Sequence, residues 1–225
     1  MGQAIGEILP LAIGVAISPV PIIAIVLMLG TPRARSNGLA FAIGWVAGLT
    51  IVGGALLTVA SGNSENDDGG PATWVRLVKL ALGILFLLLA AHTWRGRPKA
   101  GQEVAMPKWM QAIDTFTTGK SLGFGVLLSG VNPKNLALTI AAATTIAQSG
   151  ISGGEAAGTL AIFILVGSLS ILAPVVVYFA LGPKAATILD ELKRWMEAHN
   201  AAIMAVLLLV LGVKLIGDAI GGLSS

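Results

Sequence analysis

The chain has no cysteine and few charged or aromatic residues, and these scarcities exclude several classes of protein. Its 225 residues include 0 Cys, 11% charged residues and 5% aromatic residues. Without cysteine there is no disulfide, no thiolate metal site and no dithiol electron relay. With 55% hydrophobic residues and a mean hydropathy of +0.87, the composition is that of a membrane protein. The net charge of +3 follows from basic loops, and no nucleic acid is expected as a partner.

The positions of the acidic residues in the sequence bear on the mechanism of the protein. No Asp or Glu falls near the middle of an apolar run, so the acidic proton relay common in pumps has no evident members. An intramembrane hydrolase would need a nucleophile with a base in reach, or His, Asp and Glu at metal-ligand spacing. The sequence shows neither pattern. We therefore predict that the protein is not an enzyme and has no catalytic residue, metal or cofactor.

Apolar runs fill most of the chain and predict six membrane-spanning helices. We place the spans at about residues 8–30, 38–60, 74–94, 122–147, 158–181 and 200–220, and most reach the ~20 residues needed to cross ~30 Å of hydrocarbon. No Lys or Arg precedes the first run, so we expect it to remain as a helix rather than be cleaved as a signal peptide. The predicted fold class is therefore an all-α integral membrane protein.

The basic residues predict an orientation in a cell's inner (plasma) membrane, because cytoplasmic loops carry an excess of Lys and Arg. One side of the six-span scheme has only Arg76, Lys79 and Lys214. The other side, which we assign to the cytoplasm, has Arg33, Arg35, Arg95, Arg97, Lys99, Lys108, Lys120, Lys184, Lys193 and Arg194. Both termini are then expected outside.

Two of the predicted spans are interrupted by proline, one in each half of the chain and at corresponding positions. The interruptions are Ser18-Pro19-Val20-Pro21 in the first span and Asn132-Pro133-Lys134-Asn135 in the fourth. Carriers built from inverted repeats place their substrate site where such broken helices meet. We therefore predict helix breaks at Pro19, Pro21 and Pro133, and an inverted repeat formed by the first three and last three spans.

The domain organisation follows from that repeat. We assign residues 1–95 to the first three-helix repeat, 96–120 to a cytoplasmic linker and 121–225 to the second repeat. The linker is predicted to contain an amphipathic helix at the membrane surface, because large apolar residues recur there at helical spacing: Met106, Trp109, Met110, Ile113 and Phe116. A similar segment precedes the sixth span, with Leu189, Leu192, Trp195 and Met196. A docking surface for a cytosolic partner is the alternative reading of both segments.

Lys134 is the charged side chain predicted to lie well inside a span, which makes it the main candidate for substrate binding. The missing amide of Pro133 is expected to free a carbonyl near Ser129. Beside that helix end, the cation would suit an anionic group. The other predicted substrate-binding residues are Asn132, Asn135, Ser18, Ser129 and Thr139. Two alternatives remain open: Lys134 extends to the inner surface, and Ser18 marks only a packing kink.

These motifs resemble the LysE transporter superfamily. The resemblance rests on Asn132-Pro133-Lys134, on Ser18-Pro19-Val20-Pro21 followed by Thr31-Pro32-Arg33-Ala34-Arg35, and on the glycine-rich second span. Within the superfamily the chain is most similar to the sulfolipid- and glycopeptidolipid-addressing (GAP) proteins of mycobacteria and related actinobacteria. The resemblance implies an inner-membrane protein that helps to move a glycolipid or other envelope lipid outward.

Departures from the superfamily pattern narrow the expected cargo. Amino-acid exporters of the superfamily have a proline-asparagine pair in the first helix, where this chain has Pro21-Ile22. The expected partners are thus membrane lipids and a glycolipid or other amphiphilic substrate, with a lipid-export complex and a homodimer as further partners left open. The alternative functions are a LysE-type exporter of a small solute, which would need a closed polar cavity, and a non-transporting scaffold of a lipid-export complex.

Overall fold

A computed structural model describes residues 1–64, 73–96, 110 and 112–221. In these ranges the chain is helical and contains no strand. Most of the predicted linker helix, including Met106 and Trp109, lies outside the described residues.

The helices follow the apolar runs in chain order. Among the described residues, three short segments have other helical geometry: 3₁₀ turns at Ile113–Thr115 and Gly182–Lys184, and a π-helical segment at Leu127–Val131. The α-helices are α1 (Gly2–Ala16), α2 (Pro19–Leu29), α3 (Ala34–Ser64), α4 (Thr73–Arg95), α5 (Thr118–Val126), α6 (Pro133–Gln148), α7 (Gly153–Leu181) and α8 (Ala185–Gly221).

Four stretches in the described part of the chain are long and apolar enough to cross a membrane. They are Ala34–Gly62, Arg76–Arg95, Gly153–Leu181 and Ala185–Gly221. A fifth span results if α1 and α2 are counted together, since they meet the same test as a pair that is bent by 52°. The fourth predicted span, at about 122–147, is not in this set. A helical protein with several membrane-spanning stretches is thus confirmed, while the total of six spans stays a prediction.

The segment predicted before the last span is continuous with it. α8 runs for 37 residues without a break, so the predicted surface helix is the first part of a longer one. Leu189 and Met196 are buried on α8, whereas Trp195 is 54% exposed. The apolar face therefore packs partly against the protein, and Trp195 points away from it.

Glycines bring two pairs of helices into close contact. A Cβ at Gly44 of α3 would collide with the Leu122 carbonyl of α5, and a Cβ at Gly125 of α5 would collide with the Phe41 carbonyl of α3. In a second pair of helices, Gly83 of α4 and Gly212 of α8 each lie close to the other's carbonyl. Small residues permit such approaches in membranes, where helices gain little from hydrophobic association. The Gly44-x-x-x-Gly48 motif thus packs α3 on α5.

Candidate substrate site between two broken helices

The first break follows directly from two prolines. Pro19 and Pro21 have no amide proton, so the carbonyls four residues earlier, at Val15 and Ile17, lose their helical partners. α1 accordingly ends at Ala16, and α2 begins at Pro19 with Ser18 as its extended N-cap residue. Proline suits the first position of a helix because its amide would be unpaired there in any case. Pro19 and Pro21 are both buried.

The second break has the same plan. The π-helical segment ends at Val131, and α6 begins at Pro133 after the N-cap residue Asn132. The Asn132 side-chain oxygen accepts from the Lys134 amide at 3.1 Å, which satisfies one of the free donors of the new helix. Pro133 is exposed and Asn132 is half-buried. Each break is thus an N-cap residue followed by proline at the start of a new helix.

Lys134 joins the two breaks. Its ammonium lies 2.6 Å from the Gly14 carbonyl, 3.1 Å from the Ile17 carbonyl and 2.6 Å from the Ser18 hydroxyl. A lysine ammonium has three protons, so these three acceptors use all of them. The side chain is 7% exposed and sits at the carboxyl end of α1, where the helix dipole favours a cation. It therefore points into the bundle rather than along the inner surface.

The other carbonyls at the end of α1 are also capped by side chains. The Ser18 hydroxyl lies 2.6 Å from the Val15 carbonyl and 3.2 Å from Asn135 Oδ1; its single proton goes to the shorter contact. Ser170 of α7, which the sequence did not single out for the site, donates to the Ala16 carbonyl at 2.6 Å. The four carbonyls from Gly14 to Ile17 thus have side-chain donors from three parts of the chain.

The Asn135 side chain caps a backbone carbonyl at the second break. Its side-chain amide donates to the Leu128 carbonyl at 2.9 Å, and it is fully buried. The free carbonyl expected one turn before Pro133 is therefore capped by the chain itself. We name the buried group of Ser18, Lys134, Asn135 and the capped carbonyls of α1 the junction.

Two predicted site residues lie elsewhere. The Ser129 hydroxyl bonds to its own helix, at the Val126 carbonyl at 3.2 Å, and it faces Gly48 of α3. The Thr139 hydroxyl donates to the Asn135 carbonyl at 2.8 Å, and its methyl group lies toward Gly53 of α3. The structure thus brings together Ser18, Asn132, Lys134 and Asn135, whereas Ser129 and Thr139 contribute to helix packing.

A cavity of about 440 Å³ lies against the junction. Residues from both breaks line it, together with the end of α4 and the middle of α8. We name this the junction cavity; its lining residues are Ser18, Pro19, Val20, Pro21, His92, Thr93, Gly96, Asn132, Lys134, Asn200, Ala201 and Met204. Its polar groups include an imidazole and two amides besides the ammonium. This wall can donate hydrogen bonds to the oxygen atoms of a head group.

Sequence reasoning missed the α4 and α8 side of this cavity. By sequence, His92 and Asn200 fall near the ends of the predicted spans 74–94 and 200–220, where polar residues are ordinary. The continuous α8 and its packing on α4 bring both to the break between α1 and α2. Within the described residues, no three His, Asp or Glu side chains come together as a metal site would require.

A second, chemically different cavity opens between α3 and α7. It has a volume of about 950 Å³, and aliphatic and small side chains form most of its walls. We name it the lateral cleft; its lining residues are Val46, Thr50, Gly54, Leu57, Thr58, Ser61, Gly153, Ala156, Ala157, Leu160, Ala161, Ile164, Leu165, Ser168 and Leu172.

Comparison with known protein families identifies the family of this chain. The sequence model of the family described as Sap, sulfolipid-1-addressing protein, matches residues 8–221. The chain belongs to the Sap family. The match includes both breaks, the junction, the junction cavity and the lateral cleft. No curated protein and no solved structure matches the chain. The resemblance to sulfolipid-addressing proteins is thereby confirmed, and the family name indicates a lipid-related role at a membrane.

Proposed function

We propose that this Sap-family protein moves an envelope glycolipid or another amphiphilic lipid from the inner membrane toward the cell surface and is not an enzyme. The observation that carries the proposal is the junction cavity, which both helix breaks line. Broken helices form binding sites in carriers because their free backbone groups and caps face a cavity rather than lipid. The family name supports a lipid as cargo.

The lateral cleft favours a lipid over a small solute. A small-solute exporter has to enclose its cargo in a polar cavity. A lipid carrier needs an opening through which hydrocarbon can pass, and the cleft supplies apolar walls on two membrane-spanning helices. We propose LysE superfamily membership whichever cargo is moved. A LysE-type exporter of a small solute is the second candidate function, supported by the polar residues that line the junction cavity.

We propose a revised role for Lys134. Its three protons are already bonded to Gly14, Ile17 and Ser18, so an acidic head group would have to displace one of these acceptors. The residue also gives the cavity wall its positive charge. In the present structure Lys134 therefore links the two breaks by hydrogen bonds. When cargo binds, its ammonium releases one carbonyl and binds the acidic head group instead.

We further propose six spans arranged as two inverted repeats, residues 1–95 and 121–225, with 96–120 as the linker. Three features support this. Ser18-Pro19 and Asn132-Pro133 are equivalent starts of α2 and α6, α3 and α7 have similar lengths of 31 and 29 residues, and α1 packs on α7 as α5 packs on α3. An experimental structure in which a two-fold axis in the membrane plane fails to place Pro19 on Pro133 would contradict the repeat.

The test of the function blocks the junction cavity. Ala201 lines the cavity, whereas its neighbour Ala202 is exposed, so Ala201→Phe and Ala202→Phe add the same side chain inside and outside the cavity. Each variant would be returned to a deletion strain of the source organism, and lipids extracted from the cell surface would be compared by mass spectrometry.

We expect one class of envelope lipid to be missing from the surface of the deletion strain, either because the cells lack it or because they retain it internally. Ala202→Phe should restore it to the surface, and Ala201→Phe should not, at equal amounts of protein in the membrane. Normal surface lipids in the deletion strain would contradict the function. Full restoration by Ala201→Phe would favour a non-transporting scaffold.

A further inference from the structure

The lateral cleft has few polar groups, and most of them are already bonded. Thr50 donates to the Val46 carbonyl and Thr58 to the Ala55 carbonyl, both at 2.8 Å. Each hydroxyl is therefore satisfied by its own helix and presents little demand for a ligand. The cleft thus offers mainly an apolar surface to whatever fills it.

Ser168 is different. It is 1% exposed, lines the cleft, and its hydroxyl has no hydrogen-bond partner in the described part of the chain. On the same helix, Thr159 donates to the Glu155 carbonyl at 2.8 Å and Ser170 to the Ala16 carbonyl at 2.6 Å. A buried hydroxyl is costly to leave unpaired. Ser168 is therefore a donor that a ligand in the cleft can satisfy.

The position of Ser168 relates the cleft to the junction. Ser170, two residues further on, caps α1 at Ala16, and Gly167 packs against Val15. This end of the cleft is therefore level with the break between α1 and α2. From Val46 to Ser61 the α3 wall is about 22 Å long at 1.5 Å per residue, which exceeds the ~15 Å of hydrocarbon in one leaflet. One acyl chain fits along it.

We propose that the lateral cleft binds one acyl chain of a membrane lipid, with the Ser168 hydroxyl donating to the carbonyl oxygen that joins the chain to its head group. The inference rests on the proposed function, since it assigns the tail of the cargo to a place beside the junction. Hydrocarbon is the occupant because α3 and α7 are both membrane-spanning stretches, so the opening faces lipid tails rather than water.

The first test is photolabelling of the full-length protein in phosphatidylcholine vesicles. The vesicles contain a small fraction of a phosphatidylcholine with a diazirine in its acyl chain, and mass spectrometry locates the adducts. We expect adducts on cleft residues such as Ala157 and Ala161. Gly54→Phe should abolish most of them, because a Cβ at Gly54 meets no atom within 4 Å and the ring can enter the cleft.

Two further variants keep this test decisive. Ile51→Phe adds the same ring to the 66% exposed outer face of α3 and should leave cleft labelling unchanged. If Gly54→Phe does not fold, Ala161→Phe blocks the cleft from the α7 wall. Adducts confined to outward residues such as Ile51 and Val176 would overturn the proposal.

The second test concerns the hydroxyl of Ser168. Ser168→Ala should reduce labelling by the ester-linked phosphatidylcholine roughly 2- to 10-fold, the effect of one hydrogen bond, and should leave labelling by an ether-linked analogue unchanged. An equal effect on both lipids would overturn the role of Ser168. The photolabelling results test the acyl-chain site in the lateral cleft. The proposed function is tested separately, by the surface lipids of the deletion strain.

Discussion

The ammonium of Lys134 and the hydroxyl of Ser18 lie 2.6 Å apart, which makes a side chain of the second broken helix a cap for the first. The same ammonium bonds to the carbonyls of Gly14 and Ile17. A buried carbonyl that loses its donor costs about 1–3 kcal/mol. Lys134 therefore contributes to the folded structure as well as to the charge of the junction cavity.

Lys134→Met should lower both stability and transport. The methionine keeps the apolar stem but leaves two carbonyls unpaired, so we expect the free energy of unfolding to fall by about 1–3 kcal/mol for each carbonyl. Lys134→Arg should recover part of the loss, because a planar fork does not reproduce three tetrahedral bonds. Thermal unfolding in detergent and surface lipid export are the measurements.

The control for this series is Lys120→Met, at an exposed position in the first turn of α5. It removes the same charge without uncapping a helix and should change neither measurement. Parental stability and parental export in Lys134→Met would contradict both the capping role and the site.

Much of this arrangement can be read from the sequence, because prolines act locally. Pro19, Pro21 and Pro133 remove amide donors wherever they stand, and the breaks lie at these prolines. Two of the three partners of Lys134 could not be predicted, because the carbonyls of Gly14 and Ile17 are more than a hundred positions away, and a carbonyl carries no mark in the sequence. Ser129 and Thr139 are predicted for the site from their spacing around Asn132 and Asn135. Their hydroxyls instead bond to carbonyls three or four residues earlier in the chain, and both side chains face α3.

Ser170 and Ser168 form a matched pair for testing the caps of α1. Ser170→Ala removes the side-chain donor to the Ala16 carbonyl, which keeps the Ser18 amide at 2.9 Å. We therefore expect a loss of about 0.5–1.5 kcal/mol, the net value of one hydrogen bond. Ser168→Ala removes a hydroxyl without a partner in the described residues and should leave stability unchanged or raise it. Equal thermal unfolding of the two variants would contradict this assignment.

The contact between α3 and α5 should tolerate no side chain at Gly44. A Cβ there overlaps the backbone of Leu122, which cannot rotate away as a side chain can. Gly44→Val should therefore cost about 1–3 kcal/mol or more and reduce the yield of folded protein in detergent. Gly54→Ala, on the same helix with open space around its Cβ, is the control and should behave as the parent. A well-folded Gly44→Val protein would show that α3 and α5 are not in this contact.

Single cysteines in the naturally cysteine-free chain can test the orientation. Asn37 is an obvious choice by sequence, but it is 1% exposed and donates to the Phe116 carbonyl at 2.9 Å, so a cysteine there would be shielded and would damage the contact. Ser36 is exposed beside Arg35, and Gly2 is exposed with no atom near its Cβ. Because basic loops stay in the cytoplasm, an impermeant maleimide on intact cells should label Gly2→Cys but not Ser36→Cys. Opening the cells should expose both. Labelling of Ser36→Cys alone in intact cells would reverse the predicted orientation.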